Sequence, residues 1–363
     1  MPEFLQASIQ VLLGIGLLFG GGELFVQGSV AMAVIFGIPQ LVIGLTVVSL
    51  GTSAPELFVS LSSVLQGADA LAVSNVVGSN IFNVMVVLGS SALVLPLRVE
   101  SRLVRRDVPL MIAISAAVWG MASAGRVTWQ AGLALLLGLV INTVWEIRTA
   151  REEPDDSCSA EPEISDEANK GGLIPASVRI IAGISVLSIG SRVLVNGAVN
   201  AATLLGVSEA VIGLTIVSAG TSMPELITSL VAALRGRTDL AIGNVVGSCL
   251  LNLLMVLGGT AAISGSAGLQ VTGELITEDL PVMMIATLIC LPIFWSRRSI
   301  SRIEGAILLT GYIVYLTDNV LPRTALASWQ DEFRLAALCL VLPIFLIVIT
   351  TQVVIHLRLK KAG

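Results

Sequence analysis

Val42 to Gly89 reads VIGLTVVSLGTSAPELFVSLSSVLQGADALAVSNVVGSNIFNVMVVLG, and Val211 to Gly258 reads VIGLTIVSAGTSMPELITSLVAALRGRTDLAIGNVVGSCLLNLLMVLG. Aligned without a gap, about 28 of the 48 positions match, far more than composition alone produces between two apolar segments. The chain therefore contains an internal duplication. Each copy places one glutamate, Glu56 or Glu225, directly after a proline in an apolar run. A charge at that depth in a bilayer is costly and marks function.

The composition agrees. Of 363 residues, 55% are hydrophobic and only 12% charged, with mean hydropathy +0.93, whereas soluble domains carry about a quarter charged residues. This is a polytopic membrane protein, with the lipid bilayer as its surroundings. The net charge of -5 owes much to acids gathered between Glu152 and Glu167, and no basic stripe points to nucleic acid. Four cysteines, Cys158, Cys249, Cys290 and Cys339, lack paired spacing and read as packing residues, not a disulfide frame. The single histidine, His356, argues against histidine catalysis and zinc. No nucleotide motif appears, so no cofactor is expected. The apolar N-terminus lacks a basic n-region and reads as a retained first helix.

Apolar stretches of about 20 residues cross a bilayer as helices. They fall at Leu5–Phe36, Gln40–Leu65, Leu71–Leu95, Val108–Ala124 and Val127–Ile147, then Leu173–Leu205, Ala210–Leu234, Leu240–Ile263, Leu280–Trp295 and Ile303–Leu321. An eleventh, Leu335–Ile355, has no counterpart in the first half. The expected organisation is a first transmembrane repeat (1–147), an acidic cytoplasmic linker (148–172), a second repeat (173–321) and an additional C-terminal helix (333–357). The linker composition favours disorder and shows no EF-hand spacing. Glu23 and Arg192 occupy equivalent positions in the first and sixth spans and read as an ion pair or as two snorkelling charges.

Arginines and lysines collect on alternate loops. One side holds Arg98, Arg102, Arg105, Arg106, Arg235, Arg237, Arg297, Arg298 and Arg302, with further basic residues in the linker and C-terminal tail, while the other holds Arg126, Arg323 and Arg334. The positive-inside rule then puts the N-terminus outside and the C-terminus in the cytoplasm, in the cell (inner) membrane. Five spans per half is odd, so the second repeat enters in the opposite direction. The expected fold is an all-α membrane protein of two inverted-topology five-helix repeats with broken second and seventh helices, a plan shared by many secondary transporters.

Pro55 and Pro224 each remove a backbone donor, and Gly51 and Gly220 weaken the same turn, so the helix should break inside GTSxPE. Irregular backbone at that depth is tolerated where it lines a cavity or holds an ion. Ser49, Thr52, Ser53 and Glu56 share a face, repeated as Ser218, Thr221, Ser222 and Glu225. Ser79 and Asn83 are four apart, as are Ser248 and Asn252. Both faces are rich in oxygen and hold no nitrogen base, the surroundings a hard cation such as calcium requires. Two carboxylates balance one calcium ion, or sodium ions with positive charge left over. Asn75 and Asn244 are read either as ligands or as helix–helix hydrogen bonders, and Gly78 and Gly247 as close-packing residues.

The paired segments GLTVVSLGTSAPE and GLTIVSAGTSMPE, followed by GSNIFN and GSCLLN, resemble the repeats of the sodium/calcium exchanger branch of the calcium/cation antiporter superfamily. The resemblance spans about the first 320 residues. It implies Glu56 and Glu225 as central metal ligands, with Ser49, Thr52, Ser53, Ser218, Thr221, Ser222, Ser79, Asn83, Ser248 and Asn252 around them. Relatives that also carry potassium tend to have aspartate where Asn252 stands, so potassium dependence is not expected. Cys249 replaces the asparagine found at Asn80, and the eleventh helix is extra to the ten-helix prokaryotic pattern.

The function this implies is exchange of sodium for calcium by alternating access, sodium influx driving calcium efflux, with calcium and sodium as partners and the first and sixth helices as the moving pair. Proton/calcium exchange on the same fold is the alternative, and a cation channel ranks lower. An intramembrane hydrolase would need a poised acid–base pair and water access, so the chain reads as no enzyme.

Overall fold

The structure is a computed structural model and describes residues 2–152, 172–206, 216, 218–295, 298–324, 326–341, 343, 347 and 350–351. The linker with Cys158, the start of the seventh span, the side chain of Ser218, most of the eleventh span and the tail with His356 lie outside the described residues.

The described chain is built from helices. In order they are α1 (Pro2–Phe36), α2 (Gln40–Thr52), α3 (Ala54–Leu65), α4 (Asp69–Val94), α5 (Val108–Ala122), α6 (Trp129–Glu152), α7 (Leu173–Leu204), α8 (Ser218–Thr221), α9 (Met223–Leu234), α10 (Thr238–Ile263), α11 (Leu275–Trp295), α12 (Arg302–Val320) and α13 (Gln330–Ala336). Among the described residues six helices are long and apolar enough to cross a membrane, or seven if α2 and α3 count as one span bent by 43°. The bend falls at Ser53, where the sequence places it. Pro55 begins α3 where a missing N–H costs nothing, and Pro224 does the same for α9.

α4 and α10 form the buried centre, while α1, α6, α7 and α11 turn exposed apolar side chains such as Leu12, Leu137, Ile174 and Ile285 outward, as lipid contact demands. α1 and α7 run antiparallel along a seam of glycines seven apart. A Cβ on Gly14, Gly21 or Gly28 would strike Leu194, Leu187 or Ile180, and one on Gly183, Gly190 or Gly197 would strike Phe25, Leu17 or Gln10. With no hydrophobic drive between helices in lipid, such close backbone approach supplies the packing energy.

Two short antiparallel ribbons tie the halves together at opposite ends of α5. β1 (Leu97–Arg98) pairs with β4 (Ser299–Ile300), and β2 (Arg126–Val127) pairs with β3 (Leu269–Gln270). Each joins a loop of the first half to a loop of the second. The β1–β4 end carries Arg98, Arg102, Arg105, Arg106, Arg298 and Arg302, while the β2–β3 end carries Asp69, Glu274, Glu278 and Asp279 beside Arg126, Arg323 and Arg334. At the basic end Glu146 of α6 is buried between Arg102 and Arg106, with Arg106 Nη1 at 2.6 Å, and the Arg106 guanidinium stacks 4.0 Å above the Trp145 ring.

Of the two readings of Glu23 and Arg192, an ion pair or two snorkelling charges, the ion pair does not form. Glu23 does not meet Arg192 but the Arg235 guanidinium just beyond α9, and it also accepts from Gln27 at 2.6 Å. Arg192 is exposed on α7. Equivalent positions in two repeats point in symmetry-related directions, so equivalence alone does not bring them into contact.

Candidate cation site

The two breaks in the repeated stretches face each other at the centre of the bundle. Glu56 and Glu225, at the first turns of α3 and α9, are both fully buried. Each accepts a hydrogen bond from the other half: Ser53 Oγ donates to Glu225 Oε1 at 3.0 Å, and Ser222 Oγ donates to Glu56 Oε1 at 2.9 Å. The bonds exchange when the two copies are exchanged. Ser222 Oγ also lies 3.1 Å from Ser79 Oγ, and Thr52 Oγ1 lies 3.5 Å from Ser248 Oγ, which brings α4 and α10 into the same cage.

Asn75 and Asn244 are the crossbraces. Asn75 Nδ2 donates to Ser60 Oγ at 3.0 Å and to the Glu56 carbonyl at 3.4 Å, while Asn244 Nδ2 donates to Ser229 Oγ at 2.9 Å and to the Glu225 carbonyl at 3.3 Å. Their oxygens accept from the opposite half, Asn75 from Thr221 at 3.4 Å and Asn244 from Thr52 at 3.1 Å. Both asparagines thus act as helix–helix hydrogen bonders that hold the glutamate-bearing turns. Sequence reasoning overlooked Ser60 and Ser229, although both stand at matched positions of the duplication.

Several buried oxygens at this centre have no hydrogen-bond donor. Glu56 Oε2, Glu225 Oε2 and the amide groups of Asn83 and Asn252 are unsatisfied. Asn83 and Asn252 lie one turn beyond Ser79 and Ser248, at the point where α4 and α10 both widen into π-helical turns, Asn83–Val87 and Asn252–Leu257. Such turns concentrate at functional sites, and they were not legible in the sequence. Orphaned carboxylate and amide oxygens would each cost about 1–3 kcal/mol if left bare, and a cation among them would offset that cost. The donor set of carboxylate, hydroxyl and amide oxygen fits a hard cation.

Not every sequence-proposed residue joins this centre in the same way. The Ser49 hydroxyl is spent at the crossing of α2 and α10, donating to the Gly44 carbonyl at 2.6 Å and lying 3.1 Å from the Asn244 carbonyl. Gly247 packs there directly against Ser49 and Leu45, which bears out its reading as a close-packing residue. In the second half the Gly220 carbonyl, which Pro224 leaves without its helical donor, accepts from Ser191 Oγ of α7 at 2.5 Å. The first half has Gly22 at the position equivalent to Ser191, so no such hydroxyl reaches the Gly51 carbonyl from α1.

The similarities to known proteins follow the same lines. The family described as sodium/calcium exchanger protein matches residues 7–148 and 176–320. The putative antiporter CaxA of Alkalimonas amylolytica is 37% identical over 315 residues, covering 86% of this chain and 98% of its own. Sodium/calcium exchanger MaX1 of Methanosarcina acetivorans is 30% identical over 341 residues, covering 84% and 96%. Among solved structures, the sodium-calcium exchanger NCX_Mj soaked with 10 mM Na+ and zero Ca2+ superposes with a TM-score of 0.72 at 29% identity, covering 86% of this chain and 98% of its own. The duplicated GTSxPE turns, their facing glutamates and these similarities agree: the chain belongs to the sodium/calcium exchanger family.

Proposed function

We propose that this protein exchanges sodium for calcium across the cell membrane, sodium entry driving calcium exit. Glu56 and Glu225 are the central ligands in this reading, with Thr52, Ser53, Ser79, Asn83 and their second-half counterparts Thr221, Ser222, Ser248 and Asn252 supplying further oxygens. Ser49 and Ser218 stand at the edge of this ligand set in the sequence, and the Ser49 hydroxyl is spent at the crossing of α2 and α10. The observation that carries the reading is the pair of buried glutamates whose second oxygens lack any donor inside a cage of hydroxyl and amide groups.

Two carboxylates offer two negative charges. One calcium ion neutralises them, and sodium ions compete for the same oxygens. Coupling requires that competition, since a ligand bound equally in both conformations shifts nothing. Every described hydroxyl and carboxylate of the cage except Thr221 is buried, as befits an occluded state between two openings. The glycine seam lets α1 and α7 move as a pair against the central α4 and α10. The basic β1–β4 end would face the cytoplasm and the acidic β2–β3 end the outside.

Calcium uptake into everted vesicles under imposed sodium, potassium or proton gradients tests this. Uptake driven by an outwardly directed sodium gradient is the expected result. Uptake that ignores sodium and follows the pH gradient would replace it with proton/calcium exchange, and flux without any counter-ion would make the protein a channel.

A further inference from the structure

At the acidic end, a cavity of about 430 Å³ runs between α4, α11 and α12. Its inner wall includes Ser74 and Gly78 of α4, the neighbours of Asn75 and of Ser79 in the cage. Its mouth includes Glu278, Asp318 and Arg334. Arg334 belongs to α13, beyond residue 320 where the family match ends. Its guanidinium grips Asp318 with both prongs, Nε to Oδ1 at 2.7 Å and Nη2 to Oδ2 at 3.0 Å, and Nη2 reaches Glu278 Oε1 at 3.4 Å.

The opposite end of the bundle shows what this contact replaces. The segments Asp107-Val108-Pro109-Leu110-Met111 and Asp279-Leu280-Pro281-Val282-Met283 open equivalent helices, each after a π-helical turn, Leu103–Asp107 and Leu275–Asp279. Arg106 and Glu278 therefore hold the same position, as do Arg102 and Glu274. Likewise Gly132 of α6 packs against the Gly258 carbonyl and Gly305 of α12 against the Gly89 carbonyl, which aligns Glu146 with Asn319, next to Asp318. In the first half two arginines on one helix close onto the acid of the next. In the second half glutamates stand at both arginine positions and Asn319, with Asp318 beside it, stands at that of Glu146, so the segment opening α11 turns acids toward Asp318 where the one opening α5 turns arginines toward an acid. Among the described residues, the basic groups lining that cavity are Arg323 and Arg334, both after the family match, and Arg323 is turned onto the Asn319 carbonyl at 2.5 Å.

We propose that Arg334 of α13 is a latch on this cavity. Arg334 bridges Glu278 and Asp318 across the mouth, doing for the second half what Arg102 and Arg106 do for the first, and it must release before a cation can pass between bulk water and the wall next to Ser79. The passage of ions rests on the exchange reading, whereas the closing of the mouth does not. The contact is partly exposed, with side-chain exposures of 43% for Arg334 and 27% for Asp318, so it is weak enough to open and close thermally.

The test is the rate at which a neutral thiol reagent modifies Ser74→Cys in purified full-length protein that also carries Cys158→Ser and Cys339→Ser, the buried Cys249 and Cys290 being retained. Adding Arg334→Ala should speed modification about threefold, the scale of one exposed ion pair. Asp318→Asn should do the same, and the double variant should be no faster than either alone, because both break one contact. Unchanged rates, additive effects, or a Ser74→Cys that does not react at all would each overturn the latch. Sodium-driven calcium exchange by Arg334→Ala, measured alongside, should then be faster at low calcium. Loss of exchange in the wild type would sink the exchange reading while leaving the labelling result to decide the latch.

Discussion

Ser53 in the first half donates its hydroxyl proton to Glu225 in the second at 3.0 Å. The carboxylate of each repeat is thus oriented by the break in the other, so neither repeat holds a complete site. If Glu56 and Glu225 bind the transported ion, Glu56→Gln and Glu225→Gln each abolish exchange while the protein still extracts as a folded species. In that case calcium at a hundredfold excess over Kd should stabilise the wild type by about 2.7 kcal/mol, and a thermal-shift assay should show that gain lost in both variants.

Removing the orienting hydroxyls has a smaller effect. Ser53→Ala and Ser222→Ala each delete a bond to a charged group, worth about 1.5–3 kcal/mol, so calcium affinity should fall tenfold or more by titration calorimetry. Ser53→Ala added to Glu225→Gln should cost less than the two single effects combined, since the pair shares one contact.

Gly247 tests the crossing of α2 and α10. A Cβ there would lie 2.6 Å from the Leu45 carbonyl and closer still to Ser49 Oγ. Gly247→Ala should destabilise by about 1–3 kcal/mol through overpacking, read as an earlier thermal transition. Gly259→Ala is the control, because nothing lies within 4 Å of its Cβ position and alanine favours the helix.

Glu146 tests the basic end. Its side chain is 2% exposed and bridges Arg102 and Arg106. Glu146→Gln removes the nearer of the two acids these guanidinium groups share, leaving Asp107 at 3.9 Å from Arg102 and 3.6 Å from Arg106, so the cost stays below the roughly 3–5 kcal/mol of a buried pair broken from one side. Thermal unfolding should shift down accordingly, whereas replacement of the exposed Arg105 should leave it unchanged.

Much of this protein is written locally. The duplication, the prolines that start α3 and α9, the apolar spans and the one-sided arginines depend on short stretches of chain, because a proline removes its own N–H and an apolar run seeks lipid wherever it is placed. That both glutamates stand in oxygen-rich surroundings is likewise legible from their repetition. The partners across the molecule are different. Ser53 serving Glu225 and not Glu56, Ser49 spending its hydroxyl on a helix crossing, Glu23 meeting Arg235, and Arg334 closing over Asp318 all depend on how separate helices are rotated and stacked. Helical spacing says which residues share a face, but only packing in three dimensions decides what that face meets.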